Sequence, residues 1–74
     1  SGGEDGRRLV RPFLRDAGRV LRPSGRVYLL VSSLTGIDEV SELADNAGLA
    51  AREVASESFP FERLVVLEIT HKNT

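Results

Sequence analysis

Apolar positions along the chain follow two different periods. Leu9, Val10, Phe13, Leu14, Ala17, Val20 and Leu21 recur at spacings of one, three and four, which predicts an amphipathic helix. Asp5 stands where its N-cap belongs, and residues 1–6 read as a glycine-rich lead-in. Pro12 has no amide hydrogen, so a kink or a later effective start is expected there. Pro23-Ser24-Gly25 then stops the helix. The unbroken run Val27-Tyr28-Leu29-Leu30-Val31 lacks polar alternation, the pattern of a strand buried on both faces. In Thr35-Gly36-Ile37-Asp38 the spacing of a capping box precedes a second apolar stripe, Ile37, Val40, Leu43, Ala44 and Ala47, which Gly48 closes. Residues 50–58 alternate weakly and carry Arg52, Glu53, Ser56 and Glu57, as edge strands do. After a turn at residues 59–63, residues 64–71 form another continuous apolar strand.

The order is helix, strand, helix, strand, strand, an α/β arrangement. The last two strands, joined by a short turn, pair antiparallel. Because the final strand is apolar on both sides, it belongs in the middle, inserted between the other two. A right-handed crossover puts the second helix on one sheet face, and the first helix is expected to share it. The other face of two apolar strands is then uncovered, which soluble monomers rarely tolerate over a large area. A second copy, a partner, or the rest of a larger protein is expected to cover it.

The 74 residues suit one small domain, because a chain this short buries only about 60% of the surface its unfolded form exposes. No apolar stretch approaches the roughly 20 residues that span a bilayer, and no leader pattern opens the chain, so a cytoplasmic setting is expected. With no Cys, thiolate chemistry and Cys-ligated metal are excluded, and the single His71 leaves little for a His-based metal site. Residues 1–27 carry a net +4 and residues 28–74 a net −5. Arg7, Arg8, Arg11, Arg15, Arg19 and Arg22 fall on the polar side of the helical pattern and are read as a solvated face. One Tyr, three Phe and a near-neutral balance argue against a nucleic-acid module.

Four segments carry a family resemblance: Ser-Gly-Gly-Glu-Asp-Gly-Arg at residues 1–7, Leu21-Arg22-Pro23-Ser24-Gly25-Arg26-Val27-Tyr28-Leu29-Leu30, Ala47-Gly48-Leu49, and Phe61-Glu62-Arg63-Leu64-Val65-Val66-Leu67. Together they resemble the C-terminal part of a HemK-type (PrmC-like) methyltransferase, in the archaeal and eukaryotic branch. The resemblance implies the C-terminal half of a Rossmann-like class I methyltransferase fold, with the SAM-binding N-terminal half absent. It also implies S-adenosylmethionine (SAM) as cofactor of the intact family enzyme and a glutamine amide of a peptide-chain release factor as substrate. The family's glycine-rich SAM loop, its acidic ribose-binding residue and its Asn-Pro-Pro-Tyr box have no counterpart among these residues. No catalytic residue is therefore carried over, and the chain alone is expected to bind no cofactor and to be inactive. Gly2, Gly3, Glu4, Asp5 and Gly6, just downstream of where that box lies in the family, are expected to border the substrate side.

The individual residues have plainer roles. Glu4 and Asp5 offer favourable charge at a helix start. Ser32, Ser33 and Thr35, at the carboxyl end of a central strand where open α/β sheets bind ligands, are read as satisfying strand-end backbone and capping the next helix. His71 is expected at the surface near the terminus, at the far end of the neighbouring strand. Phe59 and Phe61 are expected to fold back onto the core, and Glu62-Arg63 to be a solvated pair. Two alternatives to a methyltransferase segment stand: an interaction domain that homodimerises through its sheet, and a small regulatory domain with a metabolite at residues 32–36.

Overall fold

In the computed structural model residues 2–72 are described, without the side chain of Asp5. Two helices, α1 (Gly2–Val20) and α2 (Ile37–Asn46), pack on one face of a sheet made of β1 (Val27–Ser32), β2 (Leu49–Ser58) and β3 (Arg63–His71). The sheet order is β1-β3-β2, with β3 antiparallel to both neighbours, as expected of its apolar run. Pairing runs from Val27 opposite Ile69 to Ser32 opposite Leu64, and from Leu49 opposite His71 to Ser58 opposite Arg63. One extra residue in β2 shifts the register between Glu53 and Ala55.

Strand periodicity decides which side chains meet the helices. Val31, Leu49, Val65, Leu67 and Ile69 form one core with Leu14 and Ala17 of α1 and Val40 and Ala44 of α2. Gly18 lets the helices approach: a Cβ there would lie 2.8 Å from the Ala47 carbonyl oxygen. Gly48 closes α2 with φ +79°, as expected of its position.

Three local expectations are overturned. First, residues 2–6 are helical rather than a lead-in, so Asp5 lies inside α1 and is not its N-cap, and the helix runs through Pro12. Tertiary contact outweighs the poor helix propensity of the glycines, because Gly6 packs on Thr35 and the Arg7 guanidinium donates to the Thr35 carbonyl. Second, the N-cap of α2 is Gly36 at φ 100°, with no side-chain cap, so the Thr35 capping box does not form. Third, β1 is not buried on both faces: it alternates, and Leu30 is 66% exposed on the side away from the helices. The uncovered face that the helix placement implied is present.

Candidate functional site

At the carboxyl end of β1 the chain brings together two segments that are distant in sequence. The turn at residues 33–35 leads into α2, and the first turns of α1 lie against it. A Cβ on Gly6 would sit 3.1 Å from the Thr35 side chain. One on Gly36 would sit 2.6 Å from both the Arg7 guanidinium and the Glu39 carboxylate. Gly6 thus adjoins the strand-end residues, and Glu4 faces outward with Arg7, Arg8 and Arg11 around an open concavity. Ser32 and Ser33 act on backbone and neighbours, as expected. The Ser32 hydroxyl donates to Glu62 at 2.5 Å and its oxygen accepts from the Leu34 amide at 3.0 Å. The Ser33 hydroxyl oxygen accepts from the Arg63 amide at 2.9 Å, while the Ser33 amide donates to the Arg63 carbonyl at 2.8 Å. Thr35 does not cap α2; its carbonyl serves Arg7 instead.

Glu62 and Arg63 are not a pair with each other. Strand alternation separates them, sending Glu62 to Ser32 and Arg63 to Glu53 at 2.9 Å. Phe59 and Phe61 do not fold back onto the core either. The four-residue turn closes by a bond from the Phe59 amide to the Glu62 carbonyl at 2.7 Å, and Phe61 at its tip is 92% exposed. His71 lies at the opposite end of the sheet from Ser32, as expected, but is half-buried, its Nε2 2.6 Å from the Leu21 carbonyl.

That opposite end carries a cluster which the sequence reading missed. Glu68 of β3 is 9% exposed although it points to the open face. Arg26 donates to its Oε2 at 3.1 Å, the Tyr28 hydroxyl to the same oxygen at 3.2 Å, and Arg52 to its Oε1 at 3.1 Å. The hydrogen bond from Arg52 leads in holding the Glu68 carboxyl below its ordinary range, against the opposing effect of burial. A hydrogen bond with Tyr28, followed by the attraction of Glu68, holds Arg26 more firmly protonated than usual. The available signal was positional: Tyr28 and Arg52 are the cross-strand partners of Glu68. This cluster occupies its end of the open face, whereas Leu30, Leu64 and Val66 line a groove of about 190 Å³ toward the carboxyl end of β1.

The residues present do not fit a SAM site. Among the described residues the glycine that leads from a strand into a helix is Gly36, and the Arg7 and Glu39 side chains fill the space where a Cβ on it would lie. No group of three His, Cys, Asp or Glu among the described residues is placed to hold a metal, and no described helix is long and apolar enough to cross a membrane.

No family model matches the chain, and no solved structure matches it. A protein of Methanocaldococcus jannaschii named "Putative protein N5-glutamine methyltransferase" is 35% identical over 66 residues, 89% of this chain. The chain spans about a third of that relative's length, 34%. The match supports a methyltransferase relationship, and the small α/β unit of three strands and two helices fits a partial methyltransferase domain.

Proposed function

We propose that this chain is the C-terminal part of a SAM-dependent protein methyltransferase of the HemK type, silent by itself, within a Rossmann-like class I fold. The parent enzyme transfers a methyl group from SAM to the side-chain amide of a glutamine in a peptide-chain release factor. One observation carries the reading: the flank beyond β1 is unfinished. β1 pairs on one edge only, with β3. On α1, Arg7 and Arg11 line a groove with Glu39, Glu42 and Leu43 of α2. At about 100° per residue, Leu9, Phe13 and Val20 fall on the opposite side of the helix, and all three are exposed. An open strand edge and an apolar helix stripe therefore flank the same side. A further strand and helix, continuing the sheet past β1, complete both at once. The similarity to the glutamine methyltransferase-like relative supports the same reading.

In this reading residues 2–6 and 32–36 border the substrate side, and the SAM-holding and catalytic groups come from the upstream part. The chain's own contribution is to complete the sheet and to fix the first turns of α1 against the loop after β1.

Titration of the isotopically labelled chain with SAM, followed by two-dimensional NMR, tests this. The expected result is a dispersed spectrum that does not move, with methyl transfer to the release factor appearing once the chain is combined with its upstream part. Saturable shifts at residues 2–6 or 32–36, or methyl transfer by the chain alone, overturn it. The exposed face around Leu30 also favours a second reading, a sheet-mediated homodimer. That reading requires a dimeric mass at high micromolar concentration.

A further inference from the structure

We propose that Leu34 and Phe61 form a docking ridge for the protein substrate, engaging a polypeptide segment in which an apolar side chain stands next to a basic one. The inference rests on the methyltransferase reading above. Both residues lie at the carboxyl end of β1, where open α/β sheets take their ligands. Leu34 is 64% exposed and Phe61 more so. Neither sits on a floppy loop. Ser32 braces both turns, through its bonds to Glu62 and to the Leu34 amide, and the Ser33–Arg63 bonds tie β1 to the start of β3 beneath them. The Phe59–Glu62 bond closes the tip itself. Apolar groups held this way need little further ordering when they bind, which is what a contact residue requires.

The rest of the open face sharpens the placement. Its other end is occupied by the polar Glu68 cluster, while the apolar groove of Leu30, Leu64 and Val66 opens toward the carboxyl end. Charge supplies the other half of the recognition. Residues 53–63 carry Glu53, Glu57 and Glu62 against Arg63, a net −2. Arg63 is taken up by Glu53, and Glu57, on the rim of the groove, has no ion pair among the described residues. An apolar side chain beside a lysine or arginine complements this surface, the first on Phe61 and Leu34 and the second on Glu57.

The test uses the assembled enzyme, this chain together with its upstream part. Two substrates are compared: purified release factor and a short peptide around its target glutamine. Phe61→Ser and Leu34→Ser are expected to raise KM for the release factor roughly tenfold to thirtyfold, the effect of losing one central anchor. With Phe61→Ser the kcat and the KM for the short peptide stay unchanged, and Phe61→Tyr stays close to the unaltered enzyme. Glu57→Lys raises the same KM. Active enzyme whose release-factor KM does not respond to Phe61→Ser overturns the proposal alone. So does a drop in melting temperature of several degrees, which means that the upstream part covers the ring, or a change from dimer to monomer, which means that a second copy does. No methyl transfer by the unaltered assembly overturns the methyltransferase reading, and the proposal falls with it.

Discussion

Leu67 and Leu30 are the same residue type on adjacent strands, yet they face opposite ways, and shortening each to alanine measures what the helices cover. Leu67 is 2% exposed in the core, so Leu67→Ala loses buried methyl groups and leaves a cavity, at a cost of about 2 to 5 kcal/mol. Leu30 is two-thirds exposed, so only about a third of its burial is at stake. A third of the roughly 1.5 to 3 kcal/mol for a fully buried side chain is about 0.5 to 1 kcal/mol. A chain of this size has about 3 to 5 kcal/mol in total. Leu67→Ala should therefore show little or no cooperative transition, while Leu30→Ala lowers the urea midpoint by about 0.5 to 1 M at a slope of roughly 1 kcal/mol per M. Far-UV circular dichroism follows both, at a concentration where sedimentation confirms a monomer. Equal losses in monomeric protein would refute the one-sided core.

Gly18→Ala drives a methyl group against the Ala47 carbonyl and should lower stability by about 1 to 3 kcal/mol in thermal melts, more than the same change at Gly48, where an added methyl group meets nothing within 4 Å. At Gly48 the positive φ is the whole penalty. Glu68 has a depressed folded-state pKa, so its stabilisation is present above the ordinary carboxylate value of 4.5 and is lost as pH falls through the lower folded value. The stability gap between the unaltered chain and Glu68→Gln should shrink as pH drops below 4.5; a gap constant from pH 7 to pH 3 contradicts the network.

Much of the fold was legible because strands announce their environment. The continuous run in β3 required a central position, and Val65, Leu67 and Ile69 meet the helices while their neighbours face the open side. The equally continuous run in β1 was misleading in this chain for a physical reason. Leu30 and Tyr28 are apolar without being covered, so sequence records a burial that the helices here do not supply. The start of α1 was illegible because its glycines and Pro12 speak against a helix, and the contacts that favour one come from Thr35, nearly thirty residues on. Thr35 carried a capping signature, but local spacing could not show that Gly36 would take a positive φ under Arg7 and Glu39. At the candidate site, the juxtaposition of Gly6 with Thr35 and of Arg7 with Gly36 follows from tertiary packing alone. Phe61 was misjudged because hydrophobicity marks a side chain as one to be covered without saying by which molecule.

The unpaired edge of β1 carries a hazard for the chain on its own. Its six residues, Val27–Ser32, contain no charge and no proline, the devices by which exposed edges discourage stray pairing. They combine β-branched, aromatic and aliphatic side chains in the length and composition that favour cross-β stacking between chains. Isolated preparations should therefore be limited by aggregation before they are limited by unfolding. A single lysine introduced at an outward position of β1 should extend the life of such a sample.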